Sequence, residues 1–242
     1  MLIGLQLWSI GKEIEHDFFG TLAKVAQMGY DGVEFVGYYG HSAFEIKEKL
    51  EKLGLKVAAS HIPIERLRDE LDDVIAFEKV LGNKYIVCPY AAYETIDEWI
   101  EFAKELGQIN KKVEAAGLTF VYHNHDKEFM KLDDEYVLDL LFKNVQETEI
   151  DVYWAEYSGI DPITYLKQYQ GRTPLIHIKD MAKSRLESTE IGNGILDIAG
   201  IVNQAKKNKT EWLIVEQEAF TKPSLESVKI GLKNLKAVMK YD

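Results

Sequence analysis

Gly117-Leu118-Thr119-Phe120-Val121-Tyr122-His123-Asn124-His125-Asp126-Lys127-Glu128-Phe129 is the stretch on which the fold turns. A helical pattern runs from about Ile96 to Ala116 and stops at Gly117. Glycine just beyond the last helical position is a common stop, because it enters the left-handed conformation without a Cβ penalty. The apolar run Leu118 to Tyr122 then reads as a buried strand. It empties into two histidines, an amide and two carboxylates. Short strands that end in ionisable groups form the floor of metal and acid/base sites.

The unit of helix, glycine and strand recurs. Gly29 precedes residues 32–36, Gly54 precedes 56–61, and Gly82 precedes 84–89. Further apolar runs lie at 2–7, 149–154, 174–180 and 212–216. Helical spacing marks 18–26, 44–53, 71–81, 136–142, 198–206 and 225–239, and Asp161-Pro162 forms an N-cap and N1 pair for one more helix. Strict alternation of strand and helix demands parallel strands joined by right-handed crossovers. Eight such units in 242 residues predict an α/β (βα)8 TIM barrel, with residues 1–242 as a single domain. An open doubly wound sheet would need more polar edge strands, and no run is visibly more polar than the others.

Composition narrows the function classes. Hydrophobic residues are 46% and charged residues 29%, as in an ordinary soluble domain. The formal net charge of −11 opposes binding to nucleic acid. No apolar run reaches the ~18 residues that span a bilayer. The N-terminus lacks a basic segment followed by a long apolar one, so a cytoplasmic protein is expected. Cys88 is the single cysteine, which excludes an internal disulfide and a cysteine-based zinc site.

The polar residues that interrupt or end the eight runs are Gln6, Glu34, His61, Cys88-Pro89, His123, Asp151, His177 and Glu216. In a barrel the C-terminal strand ends converge on one face, where active sites are built. Six of these runs supply an ionisable Asp, Glu or His. Each buried charge costs roughly several kcal/mol unless it is paired or bound to metal. A divalent cation therefore accounts for Asp151, His177 and Glu216 on three consecutive strands. Gln6 reads as a partner for backbone groups, and Glu34 as either a substrate contact or half of an ion pair. Strand alternation adds His125, Tyr153, Lys179 and Glu218, two residues beyond His123, Asp151, His177 and Glu216, if the strands extend that far.

Several motifs occur in order: Gly4-Leu5-Gln6-Leu7-Trp8-Ser9, His123 to Phe129, Asp151-Val152-Tyr153-Trp154, His177-Ile178-Lys179-Asp180, Glu190-Ile191-Gly192-Asn193-Gly194-Ile195-Leu196-Asp197 and Val215-Glu216-Gln217. Together they resemble the sugar phosphate isomerase/epimerase group of the xylose isomerase-like (AP endonuclease family 2) barrel superfamily, over essentially the whole chain. The resemblance implies one divalent cation (Mn, Mg, Zn or Co) between a carboxylate after strand five, an Asp after strand six, a His after strand seven and a Glu after strand eight. Asp151, His177 and Glu216 match the last three. His123 stands where relatives carry the strand-five Glu, and Trp154 replaces the His of their Asp-x-x-His motif. Two candidates therefore compete for the fourth position, His123 and Glu128. The preference of hard cations for oxygen favours Glu128.

The expected activity is a metal-dependent isomerase or epimerase acting on a sugar, polyol or keto-sugar. A proton leaves the carbon beside a carbonyl, and the cation stabilises the enediolate. Glu216, His125 and Lys179 are the expected catalytic groups. His61, His123, Trp8, Glu34 and Trp154 are expected at the substrate. A metal-dependent lyase or dehydratase on a keto-sugar or keto-inositol is the alternative. An apurinic-site nuclease and a metal-free sugar-binding barrel are rivals from other classes. The expected partner is a small carbohydrate, without nucleic acid or membrane, and a homo-oligomer is compatible with this reading. Loops 36–42 and 183–194 are expected to set specificity. Gly192-Asn193-Gly194 is a weak candidate for a phosphate cradle.

Overall fold

The computed structural model describes residues 1–132, 134–184 and 187–240. Eight parallel strands close into a barrel: β1 Leu2–Gln6, β2 Gly32–Phe35, β3 Lys56–His61, β4 Tyr85–Cys88, β5 Thr119–His123, β6 Glu147–Asp151, β7 Leu175–Ile178 and β8 Trp212–Val215. Each strand pairs with its sequence neighbour, and β8 pairs with β1. The outer layer includes α1 Phe18–Met28, α2 Ala43–Leu53, α3 Leu71–Leu81, α4 Ile96–Ala115, α5 Val137–Phe142, α6 Pro162–Gln168, α7 Ile198–Asn208 and α8 Ser224–Lys240. Among the described residues, no helix is long and apolar enough to cross a membrane.

The glycine stops act as the sequence implied. Gly29, Gly54, Gly82 and Gly117 take φ values of 93°, 69°, 83° and 83°. Helix starts are equally local. Ser42 with Glu45, and Thr95 with Glu98, form reciprocal capping boxes that satisfy otherwise unpaired N–H groups of α2 and α4.

Alternation along the strands divides the core into two parts. Phe120 and Tyr122 of β5, Ile176 and Ile178 of β7, and Leu213 and Val215 of β8 belong to the large cluster packed against the helices. Val121, Leu175, Trp212 and Ile214 belong to a separate small cluster with Ala58, Ala59, Tyr85 and Val87. That small cluster fills the barrel interior. One step further along the same inward face come His123, His177 and Glu216. The barrel thus has an apolar plug beneath a polar layer, and the polar layer lies at the C-terminal strand ends.

The strands that precede Tyr153, Lys179 and Glu218 end earlier than their apolar runs suggest. β6 stops at Asp151, whose side chain accepts hydrogen bonds from the N–H groups of Tyr153 (2.8 Å) and Trp154 (3.1 Å) and starts a short helix, Val152–Tyr157. β7 stops at Ile178 and β8 at Val215. Tyr153, Lys179 and Glu218 therefore do not continue the strand alternation.

Gly32 sits at a close approach between β2, β3 and the Trp212 side chain. A Cβ there would lie 2.5 Å from the Lys56 carbonyl oxygen and 2.7 Å from the Trp212 ring. Backbone cannot yield as a flexible side chain can, so Gly32→Ala should cost about 1–3 kcal/mol by overpacking. Urea unfolding should show a lower midpoint with an unchanged slope. An unchanged midpoint would contradict the packing of Trp212 between β1, β2 and β3.

Candidate metal centre

The polar layer is a cluster of wholly buried ionisable groups. Glu34, Glu149, Asp151, His177 and Lys179 have no exposed surface, and His61, His123 and Glu216 have little. Among the described residues, two sets of four bring one ligand atom each within 4.8 Å of one another. The inner set is His61, His123, Glu149 and His177, and the outer set is His123, Asp151, His177 and Glu216.

Inside the inner set, His61 Nε2 lies 2.9 Å from Glu149 Oε2 and 3.1 Å from Glu34 Oε2. Burial opposes charge on His61, but Glu34 and Glu149 outweigh it and raise its pKa to about 9. Burial likewise opposes ionisation of Glu34, yet His61 and His177 hold its carboxyl well below the usual range. His177 is raised by Glu149 and Glu34 against its own burial. Glu34 and Glu149 thus favour the protonated form of both imidazoles in the metal-free chain. His123 differs: burial and the neighbouring His177 keep it neutral.

The outer set is short of positive charge. Lys179 Nζ lies 3.2 Å from Asp151 Oδ2, 2.8 Å from Glu216 Oε2 and 2.6 Å from Glu218 Oε1. Lys179 is also packed 5.3 Å from the ring centroids of both Tyr153 and Trp154. One ammonium therefore serves three carboxylates, with His177 Nδ1 as a further partner for Glu216 at 3.1 Å, and burial raises the Asp151 pKa in spite of Lys179. Asp151 Oδ2 has no hydrogen bond despite its ion-pair distance to Lys179, and in the inner layer His123 Nδ1, Glu34 Oε1 and Glu149 Oε1 have none either. Buried polar atoms without partners are costly and rare. Two imidazoles and two carboxylates, with an excess of negative charge and unpartnered atoms, fit a borderline divalent cation.

The cluster opens into a cavity of about 520 Å³ lined by Trp8, Val36, His61, Pro63, Pro89, Tyr90, His123, His125, Trp154, Glu216 and Glu218. Trp8 is 64% exposed at its mouth. A larger groove of about 800 Å³ along α8, lined by Lys229, Lys233 and Lys236, holds none of this chemistry. His125 stands against Tyr90 and Trp154, with ring centroids 5.3 Å away in each case. Burial and the charge of Lys179 lower its pKa to about 4, so its ring is neutral at neutral pH.

The sequence-derived residues divide accordingly. Asp151, His177 and Glu216 come together, and His123 joins them as the fourth group. Glu128, expected as fourth ligand, is not brought to the cluster. A 3-10 turn, Lys127–Phe129, directs its buried carboxylate to the Tyr122 hydroxyl (2.6 Å) and the His125 N–H (3.0 Å). Trp8, His61, His123, His125, Trp154 and Glu216 line the cavity. Glu34, expected at the substrate, lies behind His177 and His61 instead. Lys179, expected to act on substrate, is walled off by the carboxylates and rings around it. Gly192-Asn193-Gly194 does belong to an anion nest, but Asp180 fills it. The Asp180 carboxylate accepts from the N–H groups of Gly192 (2.8 Å), Gly194 (3.0 Å) and Leu196 (3.1 Å). Arg185 and Leu186, within the expected loop 183–194, lie outside the described residues. Glu149 was missed by reading alternation only forward from Asp151. It stands two residues earlier on the same inward face.

Comparison with known proteins gives concordant findings. A family model described as "Xylose isomerase-like TIM barrel" matches residues 22–238. An inosose dehydratase of Clostridium beijerinckii (strain ATCC 51743 / NCIMB 8052) is 25% identical over 254 residues, covering 86% of this chain and 84% of that protein. A sugar phosphate isomerase/epimerase from Parabacteroides distasonis ATCC 8503 superposes with a TM-score of 0.83 at 25% identity, covering 97% of this chain and 93% of that one. The zinc-bound structure of the protein IolI shares the fold, with a TM-score of 0.79 at 14% identity over 100% of this chain and 99% of that one.

The placement of Glu128 can be tested by pH. Burial raises its pKa from 4.5 to about 7, against the hydrogen bond from Tyr122. The folded chain therefore holds this proton more tightly than the unfolded chain. The stability it contributes is whole below pH 4.5 and is lost as pH rises through 7. Glu128→Gln lacks that loss, so the variant should gain on wild type by up to roughly 3 kcal/mol between pH 4.5 and 8. Urea unfolding of the metal-free proteins measures the gap, and calorimetry should find unchanged cation affinity. A constant gap together with weakened cation binding would instead make Glu128 a ligand.

Proposed function

The chain belongs to the xylose isomerase-like TIM-barrel family, and on that premise we propose that it is a divalent-cation-dependent isomerase or epimerase of a keto-sugar or keto-polyol. The observation that carries this reading is the outer set, His123, Asp151, His177 and Glu216, at the floor of an aromatic-walled cavity. These four residues would hold the cation. When bound, it supplies positive charge against the substrate oxygen on which negative charge develops as the α-proton leaves.

The chain's own groups do the rest. Glu216 reaches the cavity and is held ionised, chiefly by Lys179 and His177, against its burial. It is the base for the proton beside the carbonyl. Lys179 steadies Asp151, Glu216 and Glu218 rather than touching substrate. Neutral His125 carries one N–H and one lone pair, so it can return a proton or hold a hydroxyl on the opposite wall. Trp8, Tyr90 and Trp154 offer flat apolar faces to the C–H side of a sugar or cyclitol ring. Among the described residues, the cavity lining holds two carboxylates and no lysine or arginine, which favours an uncharged substrate over a phosphorylated one.

A second reading is dehydration of a keto-inositol, favoured by the inosose dehydratase relatives. It shares the first step. After the α-proton leaves, a β-hydroxide departs instead of a proton returning, and His125 is placed to assist that departure.

Incubation in D2O with keto-inositols, ketoses and their phosphates, followed by proton NMR, tests the shared step. At least one unphosphorylated substrate should exchange its α-proton in a cation-dependent manner. Loss of water from the same substrate would select the dehydratase reading. His125→Asn should lower turnover by about 100- to 10,000-fold and leave cation affinity unchanged. Turnover with complete retention of the α-proton, or full activity in protein shown to be metal-free, would overturn the proposal.

A further inference from the structure

His177 uses its two ring nitrogens in different directions. Nδ1 faces the outer set, 3.1 Å from Glu216 Oε2 and 4.0 Å from Asp151 Oδ2. Nε2 faces Glu34, 2.7 Å from Oε2. A flipped ring would turn carbon atoms towards both carboxylates, so hydrogen bonding selects the orientation seen. Glu34 is wholly buried and is itself held in place. Its Oε2 accepts from Gln6 Nε2 at 2.5 Å, and Gln6 is pinned in turn by the Trp8 N–H, which donates to Oε1 at 3.1 Å. Gln6 and Glu34 are also register partners across β1 and β2. An ionised carboxylate only accepts hydrogen bonds. Both nitrogens of His177 face carboxylates, but the contact at Nε2 is the shorter, 2.7 Å against 3.1 Å, so a neutral His177 favours its proton on Nε2 and its lone pair on Nδ1.

We propose that Glu34 is a positioning residue for the cation: it accepts the Nε2 proton of His177 and so aims the Nδ1 lone pair between Asp151 and Glu216. The inference rests on the cation reading above and adds which nitrogen binds and what holds it there. It also bears on the inner set. The same imidazole cannot hold a proton on Nε2 for Glu34 and present Nε2 to a second cation beside His61 and Glu149. One cation per chain follows, with Glu34, His61 and Glu149 acting as its buried support. Removing the partner that orients a ligating histidine typically costs about 10- to 100-fold in metal affinity.

The test uses the metal-free full chain, titrated with Zn2+ and separately with Mn2+ by calorimetry, in wild type and Glu34→Gln. Wild type should bind one cation, and the variant should bind it about 10- to 100-fold more weakly. Unfolding of both metal-free proteins controls for folding. A second measurement needs no variant: in wild-type protein loaded with 113Cd and labelled with 15N-histidine, the His177 signal should show cadmium coupling at Nδ1 and a bonded proton at Nε2. Cadmium coupling at Nε2, wild-type affinity in folded Glu34→Gln, or two cations of which the variant loses one would each overturn the role of Glu34 while leaving cation binding intact. A wild-type chain that binds no cation would remove the underlying reading as well.

Discussion

Excess negative charge, buried at one end of a barrel, is the constraint on which the rest of this structure depends. Glu34, Glu149, Asp151 and Glu216 are taken almost entirely out of water around His177, each with an oxygen within 4.0 Å of its ring nitrogens. Such groups are tolerated only with close partners, because an unpaired buried charge costs roughly several kcal/mol. The inner pair has its partners in His61 and His177. The outer pair shares Lys179 with Glu218 and His177 with the inner pair, and Lys179, His61 and His177 do not balance Glu34, Glu149, Asp151, Glu216 and Glu218. That imbalance, more than the identity of any one side chain, makes the outer set a cation site.

The barrel makes this arrangement affordable. Parallel strands deliver side chains of alternate residues to the interior in layers, and the lower layer here is an apolar plug. The plug fixes the height and direction of the polar layer above it. His177 stands level with Asp151 on one neighbouring strand and with Ile214 on the other. Beyond the strand ends, loops take over the positioning. Ser188 Oγ accepts from the N–H groups of Glu218 and Ala219, both at 2.9 Å, while the hairpin that carries Ser188 is anchored beside Asp180 and its nest of N–H groups. The Asp180 loop therefore reaches the site indirectly, by setting the backbone that places Glu218 opposite Lys179.

What could be read from the sequence follows the same division. Glycine stops, apolar runs and alternation are local signals, and they sufficed for the barrel and for the convergence of Asp151, His177 and Glu216. Glu149 was equally legible by its two-residue spacing from Asp151. Glu128 was not, because a single 3-10 turn after β5 decides where its carboxylate points, and no periodicity records that turn. Lys179 and Tyr153 were misplaced for a related reason. Both follow strands that end sooner than their apolar runs, and Asp151 caps a helix where continued strand was expected. Glu34 could be assigned to the polar layer from sequence, but its role depends on which imidazole nitrogen it meets, which only packing determines.

Anomalous diffraction from crystals of the manganese-loaded protein, recorded at the manganese edge, tests the central claim most directly. The account predicts one anomalous peak per chain, enclosed by His123, Asp151, Glu216 and the Nδ1 side of His177, with Glu34 still against Nε2. A peak beside His61 and Glu149, a peak outside the barrel mouth, or no peak in protein that retains activity would contradict it.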